Sequence, residues 1–165
     1  MTAKTFAPWV EPIAAELAGN RAAIVETARS LGAEAWQRPS PLDGWAYRDL
    51  LTHLATGDWV CQHILRSVLA NETLNVGQII DMNWVDQGNA KLLQERRGRS
   101  VPELIAEVEA EGEETQELLT KLTDEHEGQT QEGAPMTLAA YLGAVFPGHD
   151  RDHLAQLRTA LEHVS

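Results

Sequence analysis

The sequence predicts an all-α protein, a four-helix bundle with a long crossover that carries a short extra helix. Apolar residues recur at the 3.6-residue spacing of a helix over several long segments. Gly, Pro and Asn interrupt the pattern between those segments, and strand-like alternation never extends beyond a few residues. With 165 residues and no internal repeat, the chain is expected to form one domain over residues 1–165.

The first two predicted helices cover residues 12–31 and 46–70. The first begins at Pro12, which suits the opening turn of a helix, and continues as an inward apolar stripe. The loop GAEAWQRPSPLDGW follows it. The second helix is expected to stop at Asn71, a residue that commonly ends helices.

The crossover and the last two long helices follow. A short helix is predicted over about 83–97, inside an otherwise loose segment. Ser100 is expected to cap a helix that reaches about residue 124, because Glu103 completes a capping box and Pro102 lies in the first turn. Thr137 then begins the last helix, which continues almost to the end of the sequence.

Composition and charge exclude several classes of function. The formal net charge is −12, which disfavours nucleic acid and anionic lipid as partners. The densest basic run, ERRGRS, lies at a predicted helix end, where cations favour the helix dipole. No run of eighteen apolar residues predicts a membrane span, and the N-terminus lacks a signal-peptide pattern, so a cytoplasmic protein is expected. A single cysteine excludes an internal disulfide and a Cys-rich metal site.

The segment FPGHDRDHLAQL places His149 and His153 four residues apart on one side of the last helix. Both fall on its apolar stripe, where a neutral imidazole needs partners for its ring nitrogens. A shared metal ion would satisfy that need, although histidines at this spacing also occur as solvated pairs. Pro147 cannot donate a hydrogen bond to Gly143, so a kink or a restart of the helix is expected near Gly148.

A third ligand would have to come from another helix. His53 lies on the flank of the apolar arc of the second helix, and His63 lies on the opposite, solvent-facing side. His53 can therefore point toward a neighbouring helix. Without other ligands beside it, the simpler interpretation is a histidine at the edge of the buried face that binds no metal. His126 in an acidic loop and His163 on the final turn are weak candidates.

Two stretches resemble the DinB-like superfamily. PSPLDGWAYRDLLTHL resembles the opening of its second helix, and HDRDHLAQL resembles its closing signature of two histidines followed by glutamine. The resemblance covers nearly the whole length. MNWVDQGNAKLLQERRGRSVPELIAEVE looks especially like the branch of mycothiol-dependent maleylpyruvate isomerases.

The resemblance implies a divalent metal bound by His53, His149 and His153 inside the bundle. Zinc suits three imidazoles best, and ligand type leaves nickel, iron and manganese open. An open coordination position implies an enzyme, a thiol transferase or isomerase in which the metal activates mycothiol or another low-molecular-weight thiol toward a small-molecule substrate. A hydrolase using bound water and a non-catalytic metal- or ligand-binding module are the alternatives. Family members are commonly dimers, so a homodimer is also implied.

Asp49 is a candidate for orienting His53. The family usually has Ser or Thr where this chain has Ala46, so Asp49 lacks a full capping-box partner. Two roles stay open for its carboxylate, capping of the helix N-terminus and acceptance of the free N–H of His53.

Three further residues near the candidate ligands are interpreted without a chemical role. Asp150 and Asp152 flank the ligands and are expected to be solvated. Cys61 lies about two turns beyond His53, too far for a fourth ligand, and is expected to be a small core residue.

Overall fold

The computed structural model describes residues 4–72, 82–130 and 136–162. Its helices, in chain order, are α1 (Glu11–Ser30), α2 (Tyr47–Thr56), α3 (Asp58–Leu69), α4 (Met82–Glu95), α5 (Val101–Leu119), the single turn α6 (Asp124–Glu127) and α7 (Leu138–Arg158). A 3₁₀ turn at Ala35–Gln37 precedes α2. The described ranges contain no strand, only two isolated bridges, so the all-α prediction is confirmed.

Four helical elements surround a common core. α1 packs against α5 and α7, α2 packs against α5 and α7, and α3 continues the contact with α5. α4 lies outside this bundle, against α2. The crossover therefore carries a short extra helix, as predicted, and the structure adds that this helix lies against α2. Residues 73–81 of the crossover lie outside the described part of the chain.

The predicted second helix is divided at Gly57 into α2 and α3. Gly57 itself keeps helical backbone angles, with φ −61° and ψ −27°. A Cβ at this position would lie 3.2 Å from Cε1 of His149 and 3.3 Å from the carbonyl oxygen of His53. The glycine thus permits close approach of α7. Because this contact involves a residue far away in the sequence, the apolar pattern around Gly57 alone did not predict the division.

Of the kink or restart expected near Gly148, the restart is wrong, because α7 is continuous from Leu138 to Arg158. Proline removes one hydrogen bond of the helix, but Phe146 and Pro147 are both buried against the bundle. The carbonyl oxygen of Pro147 also accepts a hydrogen bond of 3.2 Å from the side chain of Asn20 in α1. Packing on α1 therefore holds the turn that the proline weakens.

The helix starts follow the capping rules only in part. The backbone N–H of Ser100 donates to Glu103 at 2.6 Å, which forms one half of the predicted capping box. Its hydroxyl donates to the same carboxylate instead of accepting from the helix backbone. α5 also ends at Leu119, five residues before the predicted boundary. Thr137 caps α7 as predicted, accepting from the backbone N–H of Ala140 at 3.3 Å.

The core consists of two apolar clusters stacked along the bundle. One includes Leu17, Cys61 and Phe146, and the other includes Ile24, Leu54 and Leu157. Between the two clusters each inner helix contributes polar side chains: Arg21 from α1, Asp58 from α3, Thr115 from α5 and Asp150 from α7, all buried. The histidine cluster described next lies at the level of this polar layer.

Candidate metal centre

Three histidines from two distant parts of the chain meet at one point of the bundle. His53 comes from α2, and His149 and His153 come from adjacent turns of α7. One ring nitrogen of each lies within 4.8 Å of the other two. The ring centroids are 4.3 Å apart for the pair on α7, and 5.0 and 4.8 Å from His53 to His149 and His153. Helical spacing predicted the pair on α7, and the tertiary fold brings the third ring to it.

Each histidine on α7 has an oxygen acceptor next to its Nδ1. Nδ1 of His153 lies 2.7 Å from Oε1 of Gln156, and Nδ1 of His149 lies 3.5 Å from Oδ1 of Asp150. An Nδ1–H donated to such an acceptor leaves Nε2 unprotonated and able to ligate. Gln156 is the glutamine of the closing motif, whose role the sequence did not reveal.

His53 meets His149 directly, with the two Nε2 atoms 2.9 Å apart. Its Nδ1 is buried without a partner in full hydrogen-bond geometry among the described residues. Asn89 of α4 lines the same cavity as His53, and its side chain favours the protonated ring. Trp45 packs edge-on against the His53 ring, with centroids 5.3 Å apart. Aromatic packing and burial thus hold this ring toward α7.

Burial favours the neutral imidazoles of His53 and His153. It is the largest cause that lowers the pKa of His53 from 6.5 to about 3, followed by the charges of His149 and His153, while Asn89 acts in the opposite direction. Burial is also the largest cause that lowers the pKa of His153, and the hydrogen bond to Gln156 opposes it. A neutral imidazole is the form that binds a metal.

The donor set fits a divalent ion such as zinc. Zn–N bonds of about 2.0–2.1 Å at tetrahedral angles place ligand nitrogens about 3.3 Å apart. The Nε2 atoms of His53 and His149 are 2.9 Å apart, a few tenths of an ångström short of that spacing, and the ligand atoms of all three histidines lie within 4.8 Å of one another. Among the described residues the group consists of three imidazoles and no fourth ligand, a set that is typical of a reactive site.

Asp49 acts at the N-terminus of α2. Its Oδ2 accepts the backbone N–H of Ala46 at 3.0 Å, which is the glutamate-like half of a capping box. Ala46 has no side-chain oxygen to form the other half. Of the two roles considered for Asp49, the structure shows the capping role, and no hydrogen bond joins it to His53 among the described contacts.

Asp150 is buried, so the expectation that it is solvated is wrong, whereas Asp152 is exposed. The carboxylate of Asp150 pairs with Arg21, with 3.1 Å between Oδ2 of the aspartate and Nε of the arginine. The same guanidinium donates to Asp58 at 2.7 Å and to the carbonyl oxygen of Leu54 at 2.7 Å. One buried arginine therefore joins α1, α2, α3 and α7 directly beneath the histidines.

Sequence reasoning missed Arg21, although a signal was present. It occurs between Leu17 and Ile24 on the inward stripe of α1, where a charged residue is unusual. Gly112 of α5 makes room for it, since a Cβ there would lie 3.4 Å from Cγ of Arg21. A buried arginine at a helical core position predicts a buried carboxylate partner, and here there are two.

An apolar cavity of about 240 Å³ lies against the cluster. His53 and His149 form one wall, and the apolar side chains of its lining are Trp59, Val60, Val85, Tyr141, Val145 and Phe146. A larger cavity of about 520 Å³ between α1 and α5 does not include the histidines. A molecule bound in the smaller cavity would contact His53 and His149 of the cluster.

The remaining sequence candidates lie away from this centre. His63 is exposed, as predicted, and Nδ1 of His126 accepts the backbone N–H of Thr123 at 3.0 Å. His163 lies outside the described residues. Cys61 is buried in the apolar core, as predicted, and burial raises the pKa of its thiol.

The fold and the cluster define a helical bundle in which α2 and α7 bring three histidines together beside an apolar cavity. Residues 17–161 match the family described as the mycothiol maleylpyruvate isomerase N-terminal domain, and the chain belongs to that family, within the DinB-like superfamily. The resemblance seen in the sequence is thereby confirmed. No curated protein and no solved structure matches the chain. In the part of the chain that the structure describes, no helix has the length and apolar character needed to cross a bilayer.

Proposed function

We propose that the chain is a metal-dependent enzyme whose divalent ion is held by His53, His149 and His153. The ion activates a low-molecular-weight thiol, which either is transferred to a small electrophile or catalyses the isomerisation of that electrophile. The observation that carries the proposal is the convergence of three ring nitrogens within 4.8 Å of one another. Membership of a family named for mycothiol supports the thiol. Zinc is the ion that this donor set favours.

The proposed chemistry divides between the ion and the chain. When bound, a divalent ion with an open position lowers the pKa of a water or thiol ligand and so supplies a nucleophile near neutral pH. The chain contributes three imidazole donors. Gln156 orients His153 by accepting from its Nδ1, and Asp150 lies 3.5 Å from Nδ1 of His149. The apolar wall of the cavity limits the water around the reacting atoms.

The transfer reaction would form one bond between the thiol sulfur and an electrophilic carbon. With an activated alkene, the π electron pair moves to the neighbouring carbon, which takes up the proton that the thiol has lost. Isomerisation uses the same addition, rotation about the resulting single bond, and elimination of the thiol. The described residues that face the cavity include no carboxylate, so the proton exchanges with water or with an imidazole.

The ligand assignment is tested by metal analysis of the purified protein and of His53→Ala, His149→Ala and His153→Ala. We expect about one equivalent in the parent and a large loss in each variant. His63→Ala is the matched control, because His63 is an exposed histidine on α3 in the same half of the bundle. Equal metal content in the parent and the three site variants would refute the assignment.

The thiol is tested separately, by titrating cobalt-substituted protein with mycothiol, bacillithiol and glutathione. Direct ligation of a thiolate produces a charge-transfer band, and turnover of an electrophile should accompany it. If none of the three ligates, the thiol proposal fails and hydrolysis by bound water becomes the working hypothesis. A large loss of stability on chelation, with no exchangeable ligand, would instead indicate a non-catalytic module. A homodimer stays a prediction.

A further inference from the structure

The cavity beside the histidines has a composition that restricts what can enter it. Among the described residues that line it, six are aliphatic or aromatic, and the polar groups are the two histidines, the amide of Asn89 and the hydroxyl of Tyr141. From this lining we propose that the substrate of the centre is a small, uncharged, apolar electrophile and not a carboxylate-bearing one. The inference rests on the proposed function and specifies its substrate class.

The size of the cavity suits a molecule of about one ring. Its volume is about 240 Å³, and an apolar protein cavity of about 150 Å³ is known to bind benzene. The absence of a side chain at Gly57 keeps the histidine end open, because a Cβ there would contact Cε1 of His149 at 3.2 Å. Trp59 of α3 and Phe146 of α7 contribute flat apolar surface to the lining.

The described lining of the cavity has no cationic side chain that could pair with a carboxylate of a substrate. All thirteen Lys and Arg residues belong to the described ranges, and none of them lines the cavity. Arg21, whose charge acts on His53, is paired with Asp58 and Asp150 and donates to the carbonyl oxygen of Leu54. Most of the others are on the surface, such as Arg29, which pairs with Glu109.

A substrate with two carboxylates would therefore bury negative charge without a partner. An ion held by the histidines could balance one carboxylate, but a second would lie among apolar side chains such as Val60 and Phe146. The net charge of −12 adds a general repulsion of anions. An uncharged molecule meets neither obstacle.

The test compares dimethyl maleate with maleate, which share a carbon skeleton and an alkene but differ by two charges. Binding to the zinc-loaded full chain is measured by ligand-observed NMR and calorimetry, and addition of a thiol is followed by mass spectrometry. In that addition the sulfur bonds to one alkene carbon and the thiol proton ends on the other. We expect the ester to bind at least about tenfold more tightly than the dianion.

Val145→Lys tests whether the missing cation is the cause. Val145 lines the cavity and is 39% exposed, so a lysine there should be tolerated and should place an ammonium at the rim. We expect Val145→Lys to raise the affinity for maleate and so to reduce the ratio of ester affinity to maleate affinity at least about threefold. Val145→Met should leave this ratio unchanged. Identical behaviour of the two variants would overturn the proposal.

The outcomes separate this inference from the proposed function. Preferential binding of the ester without thiol addition supports the substrate class and counts against thiol transfer. Faster thiol addition to maleate than to its ester overturns the substrate class while supporting thiol transfer. If neither compound binds or reacts, the substrate class is overturned.

Discussion

The carboxylate of Asp150 is in contact with both the guanidinium of Arg21, 3.1 Å away, and Nδ1 of His149, 3.5 Å away. The side chains of Asp150 and Arg21 are 3% and 9% exposed, respectively, so this ion pair is shielded from water. The contact couples the packing of α1 to the orientation of a candidate ligand. Loss of either charge should therefore affect stability and the metal centre together.

Asp150→Ala should destabilise the protein by about 3 kcal/mol or more, because it leaves the guanidinium of Arg21 short of one of its two buried carboxylates. Urea unfolding of the metal-free protein measures the change. Glu16→Gln is the control, since it removes the exposed ion pair between Glu16 and Arg151 and should cost under about 1 kcal/mol. Similar losses in the two variants would contradict a structural role for the buried pair.

Gln156→Leu should weaken metal binding by about 10–100-fold, because Nδ1 of His153 loses the acceptor that fixes its tautomer. Competition with a chromophoric chelator measures the affinity. Gln156→Glu keeps an oxygen acceptor on a side chain of the same length and should retain most of the metal affinity. Gln94→Leu, at an exposed position on α4, is the control for the change in polarity. A Gln156→Leu variant with parent affinity would show that the hydrogen bond has no such role.

The metal-free protein should lose stability as the pH falls below about 6.5. The pKa of His53 is about 3 in the folded state against 6.5 for a free histidine, so between these values the unfolded chain binds the additional proton. The stabilisation is fully present above pH 6.5 and decreases toward pH 3. The lowered pKa of His153 acts in the same direction. Urea midpoints at pH 7.5 and pH 5 measure the effect, and His53→Gln should show a shallower dependence.

Gly57→Ala should weaken metal binding while leaving the fold intact. The added methyl group would contact His149 at 3.2 Å and displace its ring from the cluster. Gly19→Ala is the matched control, because a Cβ at Gly19 of α1 meets no atom within 4 Å and should stabilise the helix by up to about 1 kcal/mol. Metal affinity measured for both variants distinguishes the clash from a general effect of glycine replacement.

Much of the fold was predictable because each long helix carries its own periodic apolar stripe. The starts of α1, α5 and α7 agree with the prediction to within a residue or so, since Pro12, Ser100 and Thr137 act locally. The errors occur where contacts with residues distant in the sequence determine whether a helix continues or ends. The continuity of α7 through Pro147 depends on α1, and the end of α2 at Gly57 depends on the approach of His149.

The candidate site was predictable to a similar extent. Spacing identified His149 and His153, and helical phase together with the resemblance identified His53. Asp150 was misread because a charged residue is exposed by default, and its burial follows only from its pairing with Arg21, 129 positions away in the chain.

The sequence by itself determined the helical class, the order of the helices and the family, because these depend on local periodicity and on short motifs. The tertiary structure alone decided that three imidazoles converge, that Gln156 and Asp150 lie next to the Nδ1 atoms of the pair on α7, and that a cavity with mostly apolar described lining opens beside them. The physical reason is that a 3.6-residue period defines which face of a helix is buried. It carries no information on which residues of another helix that face will meet.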